Sequence, residues 1–427
     1  MSGFDWRALP GPEDTARFEL SNGITLLVRS NFHSPSVLLS GYLNVGSHLD
    51  PLEKLGLAYF TSLSMMRGTQ RRTFQQVFDA LESVGASLGL GSSVHTTGFS
   101  GRALAEDLPL LLELFAETVR YPAFPARQVE RLRSQILTGL QIRAQETEAV
   151  AALAFDEALF PDHPYGRPED GYSETVRAIR RQDLCDFHTR YYGPHGMVVV
   201  LVGAVLPEVA LEGLQHALGD WTNPLQPQAM EFPPVPPRKS GLRRHLPLAG
   251  KSQTDLILGT HGPQRKSPDY IPASLGNSVL GQFGMMGRIG GVVREQSGLA
   301  YDASTSLSAW IAGGSWEVGA GVNPANLQRA IDLILSELAR FVREPVSWEE
   351  LQDSQSNFIG RLPLSMESNM GVANALLNIE RFGLGLDYYR LYPGLVAAVT
   401  PEIILATAQR YLDLEKLAII SSGPELA

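Results

Sequence analysis

The side chains from which a metal site, a nucleophile or an acid–base pair would be assembled are sparse and scattered. The nine histidines are His33, His48, His95, His163, His188, His195, His216, His245 and His261. No two are three or four positions apart, so no helix can present a local His–His pair to a metal. The single cysteine, Cys185, rules out an intramolecular disulfide, a four-cysteine zinc site and an iron–sulfur cluster. It lies in an amphipathic stretch and reads as a small buried residue. There is no G-x-S-x-G, no G-x-x-x-x-G-K-[ST] and no G-x-G-x-x-G after a strand. What does stand out is the run Gly281-Gln282-Phe283-Gly284-Met285-Met286-Gly287-Arg288-Ile289-Gly290-Gly291, with five glycines in eleven positions. Glycine tolerates φ > 0 and close backbone approach, so this run is either a flexible loop or a tight packing site.

The elements that would position such residues repeat. The segment 176–191, VRAIRRQDLCDFHTRY, and the segment 396–411, VAAVTPEIILATAQRY, both begin V-x-A-(I/V) and end in Arg-Tyr, at an offset of 220. Upstream, Asp107-Leu108 and Asn326-Leu327 each open a long amphipathic stretch, a Pro-containing turn and a second helical stretch, at an offset of 219. Two matching offsets indicate duplication. Strands are expected at 24–28, after the Asn22-Gly23 turn, and at 36–43, with paired strands across 81–97 and a buried strand at 196–205. Helices are expected near 54–66, 107–120, 126–145 and 149–159. The second half repeats this with a strand at 254–259, a helix near 270–282, strands through 299–322 and helices near 325–342 and 347–359. Each half is then an α+β layer, helices on one face of a mostly antiparallel sheet. The proline-rich stretch 221–237, WTNPLQPQAMEFPPVPP, suits an extended connector. The organisation expected is a first domain over 1–220, a linker over 221–244 and a second domain over 245–427.

The chain of 427 residues is 44% apolar and 19% charged, an ordinary globular composition, and long enough for two cores. Its net charge of −10 argues against nucleic acid as the main partner, because phosphate binding needs concentrated positive charge. The longest apolar-and-glycine run, 196–206, is well short of the roughly 20 residues of a membrane-spanning helix. No basic start followed by an apolar stretch opens the sequence. The cytoplasm is the expected location, with export to the periplasm left open.

The run Gly56-Leu57-Ala58-Tyr59-Phe60-Thr61-Ser62-Leu63-Ser64-Met65-Met66-Arg67-Gly68-Thr69 resembles the zinc helix of the insulinase-like (M16) metallopeptidases, Gly-Leu-Ala-His-Phe-Leu-Glu-His-Met-x-x-x-Gly-Thr. Here the inverted His-x-x-Glu-His motif falls on Tyr59, Ser62 and Leu63, and the spacing of the family's glutamate ligand falls on Gly139. Zinc in such a site needs imidazoles and a carboxylate, and the missing glutamate would have been the base that deprotonates the attacking water. The resemblance therefore implies a degenerate site, no metal bound by this chain and no hydrolysis by this chain alone. Further similarity runs through Leu20-Ser21-Asn22-Gly23-Ile24-Thr25-Leu26, His163-Pro164-Tyr165-Gly166 with Gly171, and Arg190-Tyr191-Tyr192. In that setting His163 reads as a structural loop residue.

The second half resembles the family differently. Val293-Arg294-Glu295-Gln296-Ser297-Gly298-Leu299-Ala300-Tyr301 is similar to the signature Arg-Glu-x-x-Gly-Leu-Ala-Tyr. On their own, Arg294 would be a surface ion-pair residue and Tyr301 a core strand residue. The resemblance implies instead that Tyr301 donates to an oxyanion and that Arg294 holds substrate backbone. Phenol and guanidinium donors suit that chemistry. It also implies that the glycine-rich segment, Gly284, Gly287, Gly290 and Gly291, touches substrate. Two-chain bacterial members divide labour in this way: one chain brings zinc and the other the Arg/Tyr pair. This sequence would be the zinc-free subunit of a heterodimer that closes like a clamshell around peptides, with zinc in the partner chain and Arg294 and Tyr301 acting in trans. The alternatives are a structural subunit like the core proteins of the respiratory cytochrome bc complex, and a peptide-binding homodimer.

Overall fold

The computed structural model describes residues 5–228, 232–282 and 287–426. The first half contains β1 (Ala16–Glu19), β2 (Thr25–Ser30), β3 (Ser36–Leu43), α1 (Leu57–Met65), α2 (Phe74–Glu82), β4 (Ser87–Ser92) and β5 (Thr97–Leu104). These are followed by α3 (Leu108–Arg120), α4 (Ala126–Arg143), α5 (Thr147–Leu159), α6 (Ser173–Ala178), α7 (Arg181–Tyr191), β6 (Val198–Gly203) and α8 (Pro207–Leu218). The second half contains β7 (Leu242–Pro247), β8 (Thr254–Gly262), α9 (Tyr270–Gly281), α10 (Gly287–Gly290), β9 (Ala300–Ala309) and β10 (Gly314–Val322). It ends with α11 (Leu327–Phe341), α12 (Trp348–Ser365), α13 (Asn369–Phe382), α14 (Tyr388–Ala397), α15 (Pro401–Tyr411) and β11 (Ala418–Gly423).

One sheet runs β1-β2-β6-β3-β5-β4 and the other β7-β11-β8-β10-β9. Strand for strand, β2, β6, β3, β5 and β4 match β7, β11, β8, β10 and β9. The match extends to direction: β2–β6 and β7–β11 are parallel and the remaining pairs antiparallel. The duplication read from two sequence offsets is thus a duplication of topology. The fold is α+β, two similar units of sheet and helices. The expected paired strands across 81–97 need correction: a capping box between Thr73 and Gln76 starts α2, which runs through Leu81 to Glu82. The hairpin follows it, with β5 reaching Leu104.

Each element reads as a consequence of its pattern. Leu327, Ala330, Ile331, Ile334, Leu338 and Phe341 fall on one stripe of α11 and are all buried. The β-branched run of β6 is buried at every position, which requires cover on both faces. Leu26, Val28, Val37, Leu39, Val199 and Leu201 share one apolar core with α3 and α8. Leu27, Leu38, Val200 and Val202 are equally buried but point the other way. The helix on that second face is α13, which packs on β6 and β3.

The chain forms two compact units whose segments interleave. Unit 1 is 1–140, 168–231 and 363–390; unit 2 is 141–167, 232–362 and 391–427. Each unit therefore takes one helix from the opposite half. In unit 1, α13 is tied down by a bidentate ion pair from Arg17 to Glu380 and by an Asn31–Asn369 hydrogen bond of 2.8 Å. In unit 2, α5 packs on β11 and β8, and its Leu159 carbonyl accepts from His261 Nε2 at 2.8 Å. The two exchanged helices occupy equivalent positions, because β11 and β8 match β6 and β3.

Candidate functional site

In unit 1 the segment expected to be a degenerate metal helix is α1, which packs into the core. Buried Asp50 starts it, accepting from the N–H groups of Gly56 at 2.8 Å and Ala58 at 2.9 Å. Gly56 itself has φ +94, and a Cβ there would lie 2.7 Å from the Asp170 carbonyl oxygen, so glycine is required. Leu57, Ala58, Phe60, Thr61, Ser62, Ser64 and Met65 are all buried. Ser62 donates its hydroxyl to the Tyr59 carbonyl at 2.8 Å. Leu63 and Tyr59 pack against the unit 1 core, and burial together with nearby Asp170 pushes the Tyr59 phenol up. The α4 helix runs beside α1, with the Arg133 guanidinium 5.1 Å over the Phe60 ring. Its Gly139 is exposed, and a Cβ would meet nothing within 4 Å. Tyr59, Ser62, Leu63 and Gly139 do not make a zinc donor set. Among the described residues no three His, Cys, Asp or Glu side chains converge on a metal position. The flanking Gly68-Thr69 has a structural use of its own. Gly68 has φ +129, and the Thr69 hydroxyl donates to buried Glu117, which also pairs with Arg72.

In unit 2 the corresponding interest lies at an edge. Gly287 follows α9 with φ +62, where a Cβ would sit 2.6 Å from the Gly281 nitrogen. Gly290 is buried and Gly291 half-buried, while Gly284 lies outside the described residues. A five-residue π-turn, Gly291–Glu295, carries half-buried Arg294. The chain then reverses: the Gly298 N–H donates to the Arg294 carbonyl at 2.9 Å, the Leu299 N–H donates to the Val293 carbonyl at 3.0 Å, and Gly298 has φ +61. It enters β9, one of the two outer strands of its sheet.

There the ladder is irregular. Ala300 pairs with Val322 and Ala303 with Ala320, so Tyr301 and Asp302 together oppose Gly321 alone. This is a β-bulge. Inward residues of β9 are Ala303 and Thr305; unbroken alternation would put Tyr301 on that same buried face. The extra residue turns it out, and Tyr301 is 88% exposed. The reading of Tyr301 as a core strand residue therefore fails for a definite reason. The structure brings Arg294 and Tyr301 to either side of one tight turn.

Two family models match consecutive stretches: Insulinase (Peptidase family M16) over residues 26–169 and Peptidase M16 inactive domain over residues 178–358. The chain is 27% identical over 396 residues to an uncharacterized zinc protease of Mycobacterium leprae, spanning 89% of this chain and 86% of that one. A crystal structure of a peptidase M16 inactive domain from Pseudomonas fluorescens superposes with a TM-score of 0.88 at 26% identity, covering 97% of this chain and 99% of that one. This chain belongs to the M16 peptidase family. Similarity also extends to cytochrome b-c1 complex subunit 1 of Rattus norvegicus, 27% identical over 283 residues, 65% of this chain and 57% of that one.

Within this M16 chain, His163 is buried in an aromatic cluster. Its Nε2 donates to the Pro233 carbonyl at 3.0 Å, and its Nδ1 accepts from the Tyr165 N–H at 3.2 Å. Its ring stands 4.6 Å from Tyr165 and 5.4 Å from Phe232, and burial holds its pKa down. Cys185 is half-buried against the unit 1 core. Sequence reasoning missed two contributors to the edge site. One is the bulge, whose only trace is a glycine at the opposing position 321. The other is Arg288, which lies inside the glycine-rich run and pairs with Glu350 on α12; no local spacing links residues 62 positions apart.

Proposed function

We propose that this chain is the zinc-free subunit of a two-chain M16 peptidase, and that it donates Arg294 and Tyr301 to a peptide-hydrolysing site whose zinc is held by the partner chain. By this reading the chain is not an enzyme on its own. One observation carries it. Tyr301 is a phenol turned out of a sheet edge by a bulge, 88% exposed, one tight turn from an arginine, in a chain whose zinc-motif positions hold no ligands.

The chemistry follows from the donors. When water adds to a peptide carbonyl, its oxygen gains negative charge. A phenol O–H aimed at that oxygen stabilises the transition state more than the ground state. The guanidinium offers several N–H donors in a fixed fork and holds the peptide main chain. A peptide would bind as an added strand, through main-chain hydrogen bonds, which makes recognition tolerant of sequence. Both units offer an outer strand for this. That of unit 1, β4, has Gly89 and Gly91 on its exposed face, with nothing within 4 Å of a Cβ.

The test is reconstitution with an M16 chain bearing an intact His-x-x-Glu-His. Hydrolysis of an internally quenched peptide should require both chains and should fall when Tyr301 is changed to Phe. Turnover unaffected by that change removes the oxyanion role. The similarity to cytochrome b-c1 complex subunit 1 favours a second reading, a structural subunit. Recovery in a membrane complex, with no peptidase activity beside any zinc-bearing chain, would select it.

A further inference from the structure

Resting on that reading, we propose that Arg288 is a positioning residue: its paired contacts with Glu350 and Glu337 fix the backbone from 287 to 301 and so set where Arg294 and Tyr301 stand for an extended peptide.

The geometry is that of a fork. Arg288 Nε donates to Glu350 Oε1 at 2.6 Å and Nη2 donates to Oε2 at 2.6 Å. Its Nη1 lies 3.8 Å from Glu337 Oε1, and the guanidinium stands 5.8 Å from the Phe341 ring centre. The receiving carboxylates are held in turn. Glu350 accepts from the Ser347 N–H at 2.8 Å and its hydroxyl at 3.0 Å, and Glu337 accepts from Arg340 Nη2 at 2.8 Å. The Arg288 side chain is only 13% exposed and that of Glu337 only 5%.

Two physical points turn this contact into a role. Ile289, Val293 and Leu299 also hold the segment, but apolar burial is non-directional and leaves room to slide. Gly287, Gly290, Gly291 and Gly298 contribute no side chains at all. A bidentate arginine–carboxylate pair fixes direction and distance together. Burying such a pair is also a poor route to stability, since desolvation offsets the attraction; registering one element on another is its best attested use. Here it registers the glycine-rich segment on α11 and α12.

The experiment uses the full chain carrying Arg288→Met, Arg288→Lys or Glu350→Gln. Hydrogen exchange is read on the chain alone. Hydrolysis of an internally quenched peptide mixture is read with a zinc-bearing M16 partner. Exchange across 291–301 should rise about tenfold in Arg288→Met and Glu350→Gln, while the sheet and α11 stay protected. KM should rise about 10- to 100-fold, with a smaller change in kcat. Arg288→Lys keeps the charge without the fork, and should leave the melting temperature near that of the unaltered chain while KM stays raised. Unchanged exchange across 291–301 overturns the proposal whatever the kinetics. So does faster exchange with unaltered hydrolysis, if Tyr301→Phe still lowers turnover. If Tyr301→Phe leaves turnover unaltered as well, it is the reading of the whole chain that falls.

Discussion

The helix α1 of unit 1 and the stretch 287–301 of unit 2 each lie beside an outer strand of their sheet, and they are built in opposite ways. In α1 and on α4, the positions that the sequence comparison set against the metal motif hold no group free to bind a metal. Ser62 bonds its own helix, Leu63 joins the core and Gly139 faces open space. In 287–301, local irregularity surrounds a side chain that packs against almost nothing. Positive-φ glycines, a π-turn, a buried arginine fork and a bulge all converge on an exposed phenol. Groups that serve the chain are buried and satisfied. Tyr301 keeps its exposure, and the bulge and turn beside it hold it there.

That contrast can be broken most sharply at Tyr301. Tyr301→Phe should lower partner-dependent kcat by about 10²–10³, and leave the melting temperature unchanged, because an exposed hydroxyl contributes little to stability. A similar loss on replacing Tyr59 by Phe would erase the distinction between the regions. The next effect belongs to Gly287→Ala. It should destabilise the chain by about 1–3 kcal/mol in urea unfolding, since φ +62 and a Cβ at 2.6 Å from backbone both oppose it.

Acid probes the arginine fork. Burial alone would push the Glu350 carboxyl up, but hydrogen bonds from Arg288 and Ser347 outweigh it and hold it at about 2. A lowered folded-state pKa stabilises above the ordinary glutamate value of 4.5, and this contribution is lost as pH falls from there through about 2. Pepsin should therefore begin to cut within 287–301 over that window, ahead of the sheet, and at its upper end already in Glu350→Gln. Simultaneous cutting everywhere would show that the fork gives the segment no stability of its own. The smallest effect is expected at Gly139→Ala: a gain of about 0.5–1 kcal/mol, because a helix-interior glycine with open space loses only its unfolded-state freedom.

Much of this was readable in the sequence, for physical reasons. The offsets between halves survive because equivalent helices need the same stripe, and Leu108–Arg120 and Leu327–Phe341 show it. The residues flanking α1 could be matched in sequence because Gly56 and Gly68 need positive φ and Thr69 needs its bond to Glu117, whatever the intervening residues do. Other features had no local signature. A bulge is a property of two strands, so the outward turn of Tyr301 lies in pairing rather than in composition. The Arg288–Glu350 fork joins residues far apart in sequence. The second cover on β6 was equally hidden: an all-apolar strand announces that both faces are buried but not which helix buries them.

The exchange of α5 for α13 has a consequence for how the polypeptide is made. Unit 1 needs a helix ending at Phe382, so its sheet stays uncovered on one side until most of the chain has left the ribosome. Separate expression of the first half would leave a bare strip of valine and leucine, prone to clumping. Yet a protease nick in the proline-rich stretch of an already folded molecule should leave two pieces that travel together on a sizing column, each still clasped by the other's helix.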